Sequence, residues 1–355
     1  MAKSYLENAT QGPFFKGEIP QRSFSSKETW VDFLGYQVAS PIGVPAGPLL
    51  NSNWVIFAAQ MGFDIVTYKT IRSKPHPAHP LPNMVYVDFN RPLTREDEKK
   101  IIKKRAAEPT DIESLSATNS FGIPSFDSEF LLADIAKARG ALSPGQVLIV
   151  SVVGTPREGE DFENDFAIAA KIAADGGAQI IEADLSCPNV TTCEGSLFTN
   201  ADAVYRISAQ IRKATPTLPL IIKVGLFPDK ESLRKTMIAA KKGGAHAICG
   251  INTISMQVVE EDGRPALGEK RLHAGVCGGL IRNAGLEFTK WLNAINREEG
   301  LGLILMATGG VTREEHFDDL FEAGADVAMS AMGMLWDPYL ALRYHKLRWE
   351  KCIKR

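Results

Sequence analysis

No stretch of this sequence is apolar for the roughly 20 residues that a membrane-spanning helix needs. The opening Met1-Ala-Lys-Ser-Tyr-Leu-Glu-Asn8 has no apolar signal core either. Charge of one sign is equally missing. Forty basic residues stand against 42 acidic ones, so no global field attracts nucleic acid or an anionic membrane. Cysteine is sparse and scattered: Cys187, Cys193, Cys249, Cys277 and Cys352 are odd in number and lack paired spacing. That excludes a disulfide framework and an iron–sulfur cluster, and it predicts reduced thiols in a cytoplasmic protein. His76 and His79 lie in a proline-rich stretch, and His246, His273, His316 and His345 show no ligand spacing, so no metal site is expected. A Walker loop and a G-x-G-x-x-G fingerprint after a first strand are also absent, which excludes P-loop or Rossmann nucleotide binding.

What the sequence does contain is an alternation of apolar strands and amphipathic helices. Eight windows read as strands: Ala39–Pro48, Asp64–Ile71, Gln146–Gly154, Ala178–Ser186, Leu218–Leu226, Ala245–Thr253, Gly302–Gly310 and Asp326–Met332. Between them fall helical patterns such as Phe166, Ala169, Ala170 and Ala173. Eight such units in 355 residues predict an α/β fold, a TIM (β/α)8 barrel, with a doubly wound open sheet as the alternative. Residues 1–30 read as an extended N-terminal arm, and residues 31–355 as the barrel. An insertion over about 72–125 separates the second and third strands, with a short strand at Met84–Phe89. Within it, Thr94–Arg105 runs from acids to bases, with Glu96 and Lys100 at i, i+4 spacing, and predicts a solvated helix.

In a barrel the C-terminal ends of the strands share one face. That brings together Ala46-Gly47, Lys69, Asp184 to Asn189, Lys223, Asn252-Thr253 and Gly309-Gly310. The centre of this set is Ile181-Glu-Ala-Asp-Leu-Ser-Cys-Pro-Asn-Val190, a buried strand running out into a loop at Pro188. Cys187 at its exit is a candidate proton acceptor or nucleophile, because Asp184, Ser186 and Asn189 surround it with polar groups that a purely packing thiol does not need. Lys223 lies in so apolar a run that its ammonium requires an anion or strong acceptor; it reads either as a Schiff-base lysine or as a charge that stabilises an anionic cofactor. Cys277-Gly278-Gly279 and Gly309-Gly310-Val311 follow the sixth and seventh strands, where such barrels bind phosphate through backbone amides.

Leu185-Ser-Cys-Pro-Asn189, with Asn119-Ser-Phe-Gly-Ile-Pro124, Lys69-Thr70, Ile222-Lys223, Ile251-Asn-Thr253, Cys277-Gly-Gly279 and Thr308-Gly-Gly-Val311, resembles the dihydroorotate dehydrogenase family of FMN barrels. That family also includes the pyrimidine-reducing domain of dihydropyrimidine dehydrogenase. The resemblance runs from about Val31 to Leu342 and implies oxidation of (S)-dihydroorotate to orotate in pyrimidine biosynthesis, with FMN as cofactor. It implies that Cys187 removes the C5 proton while hydride leaves C6 for flavin N5, and a cysteine here is similar to the soluble class 1 enzymes. Asn119, Asn189, Asn252 and Thr253 would hydrogen-bond the pyrimidine, and the backbone of Phe121, Gly122 and Ile123 would receive the substrate carboxylate. Lys223 would stand beside flavin N1 and O2. Lys69, Ala46 and Gly47 match further flavin contacts; Gly278, Gly279, Gly309 and Gly310 match the phosphate grip. The resemblance also implies a homodimer.

Three departures stand out. Asp184 replaces a substrate-binding asparagine, and an ionised Asp only accepts hydrogen bonds. Ala331-Met332 replaces a small Gly-Thr type pair, and the segment from about Arg91 to Pro109 has no class 1 counterpart. Asp184 makes a second reading credible, an FMN oxidoreductase for another dihydropyrimidine or cyclic amide. A third, of another class, is a non-catalytic flavin- or phosphate-binding barrel. No sequence feature selects the electron acceptor, which stays open between fumarate, a quinone and a partner flavoprotein that passes electrons to NAD.

Overall fold

The computed structural model describes residues 3–22, 25–159, 161–186 and 197–353. The chain begins with helix α1 (Tyr5–Gln11), a hairpin of β1 (Val31–Phe33) and β2 (Tyr36–Val38), then β3 (Ile42–Val44), α2 (Ser52–Gln60) and β4 (Ile65–Ile71). A first excursion holds β5 (Met84–Asp88), β6 (Ile101–Lys104) and β7 (Ser116–Asn119). Alternation then resumes with α3 (Ser128–Gly140), β8 (Val147–Val152), α4 (Phe162–Asp175), β9 (Ile180–Asp184), α5 (Ala201–Ala214), β10 (Leu220–Lys223), α6 (Lys230–Lys242) and β11 (Ala247–Gly250). After a second excursion of β12 (Ile254–Val259) and β13 (His273–Gly278) come α7 (Arg282–Glu298), β14 (Ile304–Thr308), α8 (Glu315–Glu322), β15 (Val327–Met329), α9 (Met332–Trp336) and α10 (Leu340–Ile353).

Strands β3, β4, β8, β9, β10, β11, β14 and β15 pair in parallel in that order, and β15 closes on β3. Each lies inside one of the eight windows read from the sequence. The fold is therefore a (β/α)8 barrel, not an open sheet. Its strands are apolar on both faces because helices cover the outside and side chains fill the inside; all seven residues of β4 are buried. Ile65, Ile149, Ile180, Ile221, Met306 and Met329 belong to the interior cluster, to which the β1–β2 hairpin adds Phe33 and Val38. Towards the C-terminal ends the interior turns polar, with Thr67, Ser151, Glu182 and Lys223 all buried. Outside, α5 shows why these helices form. The Asn200 side chain accepts from Ala203 N at 3.1 Å, and Val204, Ile207 and Ile211 share one buried face. Burying each of those three contributes roughly 1.5–3 kcal/mol.

The two excursions meet. Strands β12, β13, β7, β5 and β6 close a second, five-stranded barrel from segments that are far apart in sequence. The first excursion lies between β4 and β8, with β5 to β7 spanning residues 84–119, whereas residues 254–278 join it without any local signal of doing so. The expected helix over Thr94–Arg105 is absent. A 3-10 turn at Arg95–Asp97 is followed by Lys99 at φ +66° and then by β6, which pairs with β12. Asp97 accepts from Thr94 N, Arg91 and Lys100, which ends the helix before it can propagate, and β-branched Ile101 and Ile102 extend instead. Lys100 accordingly pairs with Asp97 at 3.0 Å.

The N-terminal arm is not wholly extended. A capping box starts α1, with Glu7 N donating to Ser4 Oγ at 3.2 Å and Ser4 N donating to Glu7 Oε2 at 2.7 Å. Tyr5 and Ala9 on that helix are buried. Farther along, Arg22 ties the arm to the barrel. Its Nη2 donates to Asp64 Oδ2 at 2.7 Å and its Nη1 to Oδ1, while Ser40 Oγ adds a 2.6 Å bond to the same carboxylate. The Asp64 side chain is fully buried. Removing one partner of such a pair leaves an uncompensated buried charge, so Asp64→Ala, which strands Arg22, should destabilise the protein by roughly 3–5 kcal/mol. Chemical denaturation of the variant beside the parent measures this; a loss under about 1 kcal/mol would show that water already solvates the pair.

Candidate active site

The C-terminal mouth of the eight-stranded barrel, the five-stranded barrel above it and helix α1 enclose a cavity of about 550 Å³. Ala46, Gly47, Lys69, Asp184, Lys223, Asn252, Thr253, Gly309 and Gly310 line it from the main barrel. Asn119, Phe121, Gly122, Ile123 and Gly278 reach it from the excursions: Asn119 ends β7 beside Met84 and Gly275, and Gly278 ends β13. Cys187 and Asn189 lie outside the described residues. Gly279 does not line the cavity. Its N–H donates to Leu115 O at 2.8 Å, and a Cβ there would meet Glu113 O at 2.1 Å, so this glycine is packed against residues 113–115.

Lys223 is 2 % exposed, and its Nζ lies 3.4 Å from Ala46 O. In register it stands between Asp184 on β9 and Cys249 on β11. One step lower, Glu182 is completely buried, and neither carboxyl oxygen has a close hydrogen-bond partner among the described residues; Ser151 and Cys249 bear on it less than burial does. Burial pushes the Glu182 carboxyl above the usual carboxylate range, against the opposing pull of the Lys223 ammonium. Burial likewise pushes the Cys277 thiol, on the cavity wall, up to about 12, so this cysteine stays protonated.

The strand exit at β9 is held by a chain of side-chain bonds. Asn252 Nδ2 donates to Ser186 Oγ at 3.0 Å, and Ser186 Oγ donates to Asp184 Oδ1 at 3.2 Å, with Ser186 N adding 3.1 Å to the same oxygen. Among the described residues Asp184 Oδ2 has only the Thr70 hydroxyl, at 3.5 Å. That oxygen is the better placed of the two to accept from a ligand. Thr253 Oγ1 is buried at the wall and has no partner among the described residues, a hydroxyl that a bound group would satisfy. Gly310, at φ +76°, passes so close to Arg282 that a Cβ would sit 2.5 Å from Arg282 Cα.

Several lining residues carried no sequence signal of their role. Tyr5, Asn8 and Phe14 come from the arm. The Tyr5 ring meets Phe121 at 5.8 Å between centroids, and Trp54 Nε1 donates to Asn8 O at 2.9 Å. The Ser4-x-x-Glu7 capping box would have disclosed α1, but not where it docks. Met84, Tyr86, Thr70 and Trp336 also line the cavity.

Fold and site together define a class, the (β/α)8-barrel enzymes that work at the carboxyl ends of their strands. The dihydroorotate dehydrogenase family model matches residues 106–341. A dihydroorotate dehydrogenase of Dictyostelium discoideum is 44% identical over 351 residues, which is 97% of this chain and 95% of that protein. The chain belongs to the dihydroorotate dehydrogenase family of flavin-dependent oxidoreductases. More distantly, it is 25% identical over 172 residues to a dihydroorotate dehydrogenase A (fumarate) of Limosilactobacillus reuteri, covering 48% of this chain and 53% of that one. It is 24% identical over 197 residues to the NAD-dependent dihydropyrimidine dehydrogenase subunit PreA of Escherichia coli, 54% of this chain and 46% of that protein. Among solved structures, a dihydroorotate dehydrogenase of Eimeria tenella in complex with ferulenol superposes with a TM-score of 0.71 at 17% identity, over 96% of this chain and 88% of that one; this likeness concerns the fold. Among the described residues no helix is long and apolar enough to cross a membrane, and no cluster of three metal-ligating side chains occurs.

Proposed function

We propose that the cavity holds FMN and oxidises (S)-dihydroorotate to orotate, in keeping with the name that the Dictyostelium relative carries. The observation that carries this reading is Lys223, a buried ammonium on the wall of a cavity it shares with Asn119, Asn252 and the Gly309-Gly310 pair. These residues fit the cofactor. Gly278, Gly309 and Gly310 bring bare backbone to the cavity wall, Thr253 Oγ1 needs a partner, and beside Gly47 the space is empty for 4 Å where a Cβ would stand. Bound FMN supplies a two-electron acceptor for the hydride that leaves C6.

The chain's own residues do the rest. Cys187 takes the proton from C5 onto its Sγ, and the electrons of that C–H bond become the C5–C6 double bond as hydride departs. Asn119, Asn189, Asn252 and Thr253 hold the pyrimidine ring through its amide edges. The backbone of Phe121, Gly122 and Ile123 receives the carboxylate. Lys223 provides fixed positive charge where reduction builds negative charge. A homodimer in the cytoplasm is the setting that the family resemblance and the scattered cysteine spacing favour.

Purified protein should be yellow, and dihydroorotate added without oxygen should bleach the visible flavin band. A colourless protein that FMN cannot reconstitute overturns the reading. Asp184 favours a second one, a related dihydropyrimidine without a carboxylate, because its cavity-side oxygen only accepts and repels an anion nearby. Asp184→Asn should shift kcat/KM about tenfold towards dihydroorotate and away from dihydrouracil. Parallel anaerobic assays with both substrates measure this ratio, and an unchanged ratio removes Asp184 as a specificity determinant.

A further inference from the structure

We propose that Arg72 is a positioning residue that sets the loop Phe121–Ile123 to receive the substrate carboxylate, an inference that rests on the function just given. Arg72 follows β4 directly, is 2 % exposed and stands behind the loop. Its Nε donates to Ile123 O at 2.9 Å and its Nη2 to Gly122 O at 3.3 Å, while Nη1 is steadied by Thr155 Oγ1 at 2.7 Å. Its own N–H donates to Ser125 Oγ at 3.1 Å. One rigid fork thus holds two consecutive carbonyls, which a lysine ammonium, a point donor on a flexible stem, cannot reproduce.

The loop needs such a clamp. Gly122 and Ile123 are both left-handed, at φ +80° and +50°. A β-branched residue in that region is strained and persists only where its surroundings over-determine it. The clamp also aims the amides. In a trans peptide the N–H points opposite to the carbonyl of the preceding residue. With Gly122 O turned to Arg72, the Ile123 N–H points away from the guanidinium; with Phe121 O accepting from His79 N at 3.0 Å, the Gly122 N–H is turned away from His79 in the same manner. Both residues line the cavity, and two adjacent N–H groups turned from Arg72 and His79 would suit an anion there. The His79 ring closes the back of the loop: a Cβ on Gly122 would lie 2.7 Å from its Nε2, and its Nδ1 stands 3.2 Å from Ser120 O.

The test compares orotate with uracil, which has the same ring without the carboxylate, titrated against the oxidised holoenzyme and followed by perturbation of the flavin spectrum. Arg72→Met should weaken orotate about 10- to 100-fold and leave uracil within about twofold. Arg72→Lys should fall between parent and Arg72→Met, and in turnover KM for dihydroorotate should rise more than kcat falls. Equal weakening of both ligands, or none, overturns the proposal. Should Arg72→Met fail to fold, Thr155→Val removes one support of the same fork and should weaken orotate selectively by about threefold; no selective loss there also overturns it. A parent holoenzyme that binds neither ligand overturns the functional reading itself, whereas a parent that prefers orotate alongside unaffected variants overturns only the role of Arg72.

Discussion

Cys187→Ala should slow the reduction of bound flavin by dihydroorotate at pH 7 by about 10²- to 10⁴-fold, the range that a positioned general base contributes. The C5 proton of a dihydropyrimidine is a weak acid and water is a poor base, so removing the thiol leaves hydride departure from C6 without its partner step. Orotate affinity, in contrast, should stay within about threefold, because the proposed arrangement assigns binding to amide side chains and the 121–123 loop. Anaerobic stopped-flow following the visible flavin band gives the first quantity, and spectral titration with orotate the second. The pair of results also separates an enzyme from a binding protein. Bleaching that runs in the variant at near-parent rate would falsify the role of Cys187, although the family assignment would stand. The immediate flank of this residue is firmly set: Ser186 is tied to both Asp184 and Asn252.

The second large effect is expected at Lys223. Lys223→Met keeps much of the buried volume and removes the charge, and it should slow flavin reduction by about 10²- to 10³-fold, the usual loss when one preorganised electrostatic donor is deleted. The reason is burial. At 2 % exposure the ammonium acts through a low-dielectric interior in which water cannot replace it. Below it lies Glu182, whose carboxyl burial pushes above the usual carboxylate range while the Lys223 ammonium pulls the other way. The flavin reduction potential of the variant should fall with the rate, since the charge stabilises the reduced, more anionic state. A variant that keeps the parent's potential and rate would place Lys223 among the structural lysines. A variant that no longer retains flavin would show instead that Lys223 serves mainly to bind it.

The sequence by itself determined the barrel and most of its mouth. Eight apolar windows with helices between them allow few other folds, because strands apolar on both faces must be covered on both, and the residues closing those windows necessarily share one end. Lys69, Asp184, Lys223, Asn252, Thr253 and the Gly309-Gly310 pair were therefore legible as a group before any coordinate. Tertiary structure decided what local pattern does not encode. Residues 254–278 pair with 84–119 to roof the cavity through contacts of high sequence separation. Thr94–Arg105 carries helical charge order, yet Asp97 captures the neighbouring donors and β12 offers a pairing edge, so tertiary pairing outweighs a propensity of a few tenths of a kcal/mol per residue. Gly279 reads like its neighbour Gly278, and only the approach of residues 113–115 turns it from the cavity. Arg72 looks in sequence like any residue after a strand; its meaning comes from the two left-handed residues, some fifty positions on, whose carbonyls the folded chain brings to its guanidinium.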